Sequence, residues 1–439
     1  MQVLGPARIR RQQVYRLRLA CAIATALFAG SVSEAQATIT AGFGHSCALH
    51  PTGTVECWGL NDSGQLGDGT TLDRTAPTAV IGLQGNVVSI LAGDAHTCAL
   101  LASGSLSCWG DNLQGQLGNG TTVSSLTPII VSGLDGPVQS FSVGNQHTCA
   151  VAADGSVRCW GDNSAGQLGD ASTQDRSVPT AVSGLDVAVS SVGVGDVHSC
   201  AVTTGGDALC WGDNLFGQLG NGTSTSTLVP TPVSGLSGNV DAIVAGGLHS
   251  CALTRENTIL CWGDNFFGQL GSAGQGEQLT PVPVSGLGGP AQTITAGGSF
   301  SCALLVSGAT QCWGDNFDGE LGDGSTVDRS TPMDVSGLGS GVVEIEAGNF
   351  HGCARTAAGI LHCWGDNFFG QLGVDTIEMA TVPVQVLEFA LLEGLTTSAL
   401  PISIVSQITT FLLLALLGWY LAQQRGRESG ATPSSHSQS

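Results

Sequence analysis

Lysine is absent from all 439 residues, and the 13 basic residues are all Arg. Five of them (Arg8, Arg10, Arg11, Arg16, Arg18) crowd the first 18 positions, and Arg425 and Arg427 stand near the end. Between Thr38 and Glu388, six Arg face 31 Asp and Glu. A surface of that sign repels phosphate backbones and anionic lipid, so nucleic acid is excluded as a partner of the central region. Lysine-based covalent catalysis is excluded outright, and two Tyr and three Met leave little further material for it. A protein built of long helices is disfavoured by 65 Gly and only 13 Lys and Arg. Long apolar runs are missing too, except at the two ends.

At the N-terminus an Arg-rich stretch precedes the apolar "LACAIATALFAGSV" and then "EAQA", with Ala35 and Ala37 as small residues before Thr38. This order predicts a secretory signal peptide over 1–37. Cys21 opens the apolar stretch rather than following it, which argues against lipoprotein processing. At the C-terminus, Leu400 to Leu421 are 22 residues without a charge, enough to cross about 30 Å of hydrocarbon. Trp419 and Tyr420 suit the interface, and Arg425 and Arg427 would hold that end in the cytoplasm. The segment predicts a transmembrane helix, or a sorting helix that is later cut away. It follows a linker at 389–399 and leads into a polar, basic-led tail at 422–439. The expected location is therefore the cell envelope, periplasmic or at the surface, anchored by that helix or released from it.

Between the ends lies a repeat. Its first cysteine falls at Cys47, Cys98, Cys149, Cys200, Cys251, Cys302 and Cys353, a spacing of 51 each time. Its second falls at Cys57, Cys108, Cys159, Cys210, Cys261, Cys312 and Cys363. Each unit carries short β-compatible runs divided by Gly, Asn and Pro, with no 3.6-residue periodicity. Periods near 50 with about four strands predict an all-β propeller, here of seven blades over 38–388 and monomeric. If Cys47 faces Cys57 across a hairpin, Leu49 faces Val55 and the loop is Pro51-Thr52-Gly53. Such loops end in a left-handed residue, and the equivalent positions are Gly104, Gly155, Gly206, Asn257, Gly308 and Gly359. One even pair per exact period predicts seven local disulfides, which an oxidising compartment permits. A spacing of ten does not match the short spacing of zinc ligands. Trp58 falls on the other face of the strand, opposite Ser46, and is expected to meet the next blade.

The string "HTCALLASGSLSCWGDNLQGQLGNGT" and its counterparts resemble the repeat of the regulator of chromosome condensation family, over roughly residues 38 to 388. The resemblance implies a seven-bladed β-propeller. The best-known member is a nucleotide exchange factor for a nuclear GTPase, and another relative is a secreted inhibitor of β-lactamases that uses one face. This chain departs from intracellular members at the two Cys positions, which usually hold apolar or small residues there. No exchange-factor residue transfers to it, because that activity resides in face loops it does not visibly share.

His45, His96, His147, His198, His249 and His351 stand two before the first cysteine, with Phe300 in the sixth unit. Replacement by Phe favours a buried structural role over a ring of ligands. The Asp-Asn pairs, such as Asp111 and Asn112, read as turn chemistry. Calcium is the alternative there, although no copy fits the EF-hand spacing. No cofactor is expected.

Function is sought where the units differ. Phe216, Phe266, Phe267, Phe317, Phe368 and Phe369 concentrate in units four to seven, as an exposed partner-binding patch or tucked under neighbouring blades. A second variable set precedes the His, including Asn145-Gln146, Asp196-Val197 and Asn349-Phe350. The leading expectation is a non-enzymatic scaffold binding a protein or glycan through one face. A carbohydrate-binding or carbohydrate-cleaving propeller is the alternative, with Glu320 beside Asp318 and Asp323 as its one candidate cluster. A GTPase regulator is the third, which export argues against.

Overall fold

The computed structural model describes residues 38–387 apart from Gln275. The expected signal peptide, linker, apolar span and tail lie outside the described residues. Among the described residues no helix is long and apolar enough to cross a membrane. Seven four-stranded antiparallel sheets follow one another in chain order. The first is Thr38–Ala41, His45–Leu49, Val55–Gly59 and Arg74–Ala79, and the last is Val342–Ala347, His351–Thr356, Leu361–Gly365 and Ala380–Gln385. The first strand of every sheet lines a central channel, so the sheets are the blades of a propeller.

The hairpin register is the expected one. Cys47 pairs with Cys57, Leu49 with Val55 and Ser46 with Trp58. His50 N donates to Thr54 O and Leu60 N to Gly44 O, at the two ends of the ladder. Alternation between them puts the two cysteines in a non-hydrogen-bonded pair, where side chains approach most closely. All seven cysteine pairs are disulfides, with Cα atoms 4.0–4.1 Å apart. The loop residue is left-handed, at φ +83° for Gly53 and +61° for Asn257. Asn257 adds a bond from its amide to Ala291 O, at 2.8 Å.

The core lies between blades rather than within them. Cys47, Leu49, Val55 and Leu66 of the first blade pack with Val87, Ile90, Leu101 and Trp109 of the second. All seven repeat Trp are fully buried. Each faces the preceding blade, not the next as expected, with Trp109 Nε1 donating to Gln65 O at 2.9 Å. Burying about 200 Å² of indole contributes up to about 5 kcal/mol, against about 1 for the hydrogen bond. Packing therefore supplies the energy, and the bond fixes the angle.

The histidines complete this joint. Thr97 Oγ1 donates its one proton to Gln65 O at 2.8 Å and lies 2.9 Å from His45 Nε2. Because the hydroxyl proton is spent, His45 Nε2 must carry the hydrogen and donate it. Burial drives the imidazoles down to about 3, and His198 to about 4, so they are neutral bonding groups. The joint between the sixth and seventh blades departs at both partners: Phe300 replaces His, and Gly352 of the seventh blade replaces the facing hydroxyl. Trp364 Nε1 still reaches Glu320 O at 2.7 Å.

The ring closes by the same joint, without a borrowed strand. Residues 381–385 belong to the outermost strand of the last blade, Ala380–Gln385, which among the described residues pairs only with Leu361–Gly365. The seam is instead made by His351 Nε2 with Ser46 Oγ at 2.8 Å, and by Ser46 Oγ and Trp58 Nε1 donating to Gln371 O at 2.9 and 2.8 Å.

Three outcomes follow from these joints. Gly373 and Gly118 have φ of +68° and +65°, and an added Cβ would fall 2.8 and 2.6 Å from the Trp58 and Trp160 Nε1 atoms. Gly373→Ala and Gly118→Ala should each cost about 2–4 kcal/mol in denaturant unfolding, and by similar amounts, because the seam is built like any other joint. Phe300→His places an N–H before Gly352 with no acceptor and should cost about 1–3 kcal/mol. His249→Phe should be partly rescued by Ser301→Gly, with about 1 kcal/mol of coupling in a double-mutant cycle.

Candidate functional site

Because each blade is an antiparallel meander, the loops after its first and third strands emerge on one face, and the hairpin after its second strand emerges on the other. The first face gathers both variable sets identified from the sequence. Its outer loops carry the Phe pairs, and its inner loops surround the channel mouth.

Each outer loop is held from within by a buried Asn. Asn316 Oδ1 accepts from Leu321 N at 3.0 Å, while its Nδ2 donates to Ser325 O and Val327 O at 3.1 and 3.2 Å. An amide donor occupying the loop centre is the wrong sign for calcium, which takes only oxygen ligands. Among the described residues no group of three or more His, Cys, Asp or Glu is placed to hold a metal ion.

The backbone beneath the aromatic pairs is clamped. Phe266 N donates to Asp264 Oδ1 at 3.2 Å and Phe267 N to Gln269 Oε1 at 3.0 Å, while Gln269 Nε2 donates to Asp264 Oδ2 at 2.8 Å. The same clamp holds Phe368 and Phe369, through Asp366 and Gln371. With the main chain so fixed, the first residue of each pair points outward: Phe266 is 80% exposed, Phe317 77% and Phe368 69%. The second is half-buried in Phe216, Phe267 and Phe369. The two expectations for these residues thus divide within each pair. Phe266 meets Phe267 edge-on at 4.9 Å, and Phe368 meets Phe369 at 5.0 Å. Leu215 extends the arc into the fourth blade.

The carboxylate cluster considered for sugar cleavage is absorbed by the loop. Glu320 is 1% exposed and accepts from Asp318 N at 2.9 Å. Burial, and then repulsion from Asp315, pushes its carboxyl up to about 8. Asp323 pairs with Arg329 at 3.2 Å and with Ser325. No two of these carboxyls are left free to flank a glycosidic bond.

Sequence reasoning singled out the variable set that includes Asn145, Asp196 and Asn349, but not its place around a channel, and it passed over Glu346. The inner-loop position runs Phe43, Asp94, Asn145, Asp196, Gly247, Gly298 and Asn349 around the mouth. Asn349 Nδ2 reaches across to Asp94 at 3.3 Å, two blades away. One turn of the pleat deeper, the position runs Thr40, Leu91, Ser142, Gly193, Val244, Thr295 and Glu346. Thr40, Ser142 and Thr295 accept from the N–H of Ala92, Val194 and Ala347 in the next blade. Glu346 makes no such bond. The signal available in the sequence was a carboxylate appearing once in a column otherwise small or uncharged.

A family model for the RCC1-like domain matches residues 20–343, and one for the RCC1 repeat matches residues 342–371. The chain belongs to the RCC1-like family. It is 33% identical to the ultraviolet-B receptor UVR8 of Arabidopsis thaliana over 343 residues, covering 76% of this chain and 78% of the receptor. It is also 33% identical to the E3 ubiquitin-protein ligase HERC2 of Homo sapiens, over 74% of this chain but 7% of the ligase. Among solved structures, human WBSCR16 superposes with a TM-score of 0.65 at 25% identity, covering 72% of this chain and 85% of that one. Prp20p of Saccharomyces cerevisiae, described with its binding to Gsp1p and histones, superposes at 0.69 and 23% identity, covering 75% and 85%. Within this RCC1-like propeller the Phe arc and the acidic mouth share one face.

The mouth has a testable pH signature. Burial, and then Glu344, pushes Glu346 up to about 8, while burial raises both Asp94 and Asp196, with their mutual repulsion adding at Asp94. A carboxyl whose folded value lies above its unfolded one keeps its proton in the native state. Its stabilising contribution is fully present below the unfolded value and is lost as pH rises through the folded one. Glu346→Gln should therefore unfold at higher denaturant than the wild type at pH 9, and at the same concentration at pH 4.

Proposed function

We propose that this RCC1-like propeller is an exported, non-enzymatic scaffold that captures a protein partner on the face bearing Phe266, Phe317 and Phe368. The observation that carries this reading is the exposure of three clamped aromatic side chains on consecutive blades. Exposed aromatics cluster at binding hot spots, and a main chain already fixed loses little entropy when they are covered. Prp20p, which has this fold, is described with protein partners, and that supports a protein ligand over a glycan. A net charge of −21 argues against nucleic acid. The reading as a scaffold rather than an enzyme is supported by the six repeat histidines, each committed to a joint between blades, and by Glu320 and Asp323, committed to one outer loop. Export is supported by seven disulfides in one chain and by the leader-like 1–37. On this reading the apolar 400–421 holds the propeller at the envelope until it is cut or retained.

Capture from an envelope fraction of the native host tests the face. Phe266→Ser, Phe317→Ser and Phe368→Ser combined should cut the captured partner at least tenfold, with stability within about 1.5 kcal/mol of wild type because the rings are exposed. Val306→Ser on the opposite face is the control, since Val306 is also exposed. Equal loss from the control, or none from the triple variant, refutes the assignment. Intact mass of the same preparation tests export: the expected species begins at Thr38 with no free thiol, and an unprocessed, reduced chain contradicts it.

A further inference from the structure

We propose that the channel mouth is a receptor for one organic cation, the ammonium or guanidinium end of a Lys or Arg side chain carried by the partner that docks on the Phe face. This inference rests on the protein-binding reading above and names the chemistry of what that partner inserts.

The channel is a cavity of about 340 Å³ into which Asp94, Asp196 and Glu346 all project. No Lys, Arg or His lines it. The chain has no Lys to offer, and the nearby Glu344, unlike Glu346, already has Arg355 at 2.8 Å. Of the other polar side chains that line the channel, Thr40, Ser142 and Thr295 bond to the next blade and Asn349 donates to Asp94. Asp196 and Glu346 accept no hydrogen bond from any described residue, although both are half-buried in the channel wall. Carboxyls partly withdrawn from water and left without partners are costly, and a folded protein keeps them where a ligand supplies the missing charge.

Two features select the kind of cation. The described acidic groups do not converge in threes closely enough for a metal ion. A cavity of this volume sits at the small end of ligand sites, so it takes the end of one long side chain and not a folded segment. A guanidinium or ammonium spans carboxylates that a bare ion cannot, because its several N–H donors diverge. Access is graded around the ring as well. Phe43, packed edge-on against Phe350 at 5.2 Å, walls the mouth at the seam. At Gly247 and Gly298 the rim has no side chains, and those are the blades that carry Phe266 and Phe317. A partner seated on the aromatic arc therefore meets the open side of the mouth.

The test titrates the full chain calorimetrically with n-butylguanidinium and n-butylammonium, against 1-butanol and tetramethylammonium. Saturable one-to-one binding, with Kd on the order of millimolar, is expected for the first two and not for the controls. Asp94→Asn with Asp196→Asn should weaken it at least tenfold, and Glu346→Gln, which removes one carboxyl without touching the rim, should weaken it separately. Absence of saturable binding overturns the proposal, as does binding undiminished in both variants. Equal binding of tetramethylammonium overturns it too, since a diffuse acidic field would then suffice. In the capture assay the Asp94→Asn, Asp196→Asn variant should lose partner. If it keeps partner while the triple Phe variant loses it, the face reading stands and insertion of a cationic side chain falls.

Discussion

Each blade's Trp carries its indole N–H into a main-chain carbonyl of the blade before it, and at six of the seven joints a hydroxyl from the Trp's own blade shares that carbonyl. A buried carbonyl has two lone pairs, and here both are used by the same neighbour. The contact therefore fixes translation and rotation between sheets together, which greasy packing alone leaves soft. Because it repeats at every joint, a small angular error would be multiplied around the ring and the first and last blades would miss each other. Closure at Ser46, Trp58 and Gln371 at ordinary bond lengths is what that shared angle makes possible.

Stiffness in the ring is also what gives the face its character. Outer loops are tied down by the very Gln whose carbonyl receives the Trp: its side chain holds the aromatic pair while its main chain holds the next blade. Core and surface are thus joined through single residues. A Phe at the tip of such a loop is displayed by the fold, so the exposed arc reflects geometry and not loose chain. The one joint that departs from the pattern, at Phe300 and Gly352, replaces both ends of a hydrogen bond together and leaves no orphaned donor.

The fold was legible because the period is exact and because the loop position that needs a left-handed residue holds Gly six times and Asn once. The disulfides followed from the same register. The direction of the Trp was not legible: a strand's own sequence says which side a residue faces, but not which neighbour lies there, since that depends on the hand of the ring. Ring closure could have been read more closely. "TITAG" at 38–42 recurs at 293–297, so the first blade already owns its inner strand and has no vacancy to be filled from the far end. The exposed and tucked members of each Phe pair could not be told apart, being chemically identical; the Asp and Gln clamps beneath them decide it. Glu346 was passed over because one carboxylate in a variable column looks like an ordinary surface residue until the column is found to line a channel.

Among the described residues no strand crosses the seam, so each of the seven sheets is a single stretch of chain. The boundary between the last blade and the first then has no special standing, and the order of blades is circular in all but the peptide link. Joining the ends and opening the chain between any other two blades would leave all seven sheets and all seven disulfides whole. For the same reason a propeller of this kind can lengthen by copying one 51-residue segment in frame, with no strand left over to be accommodated. The exact 51-residue spacing its units share is what such a history of copying leaves behind.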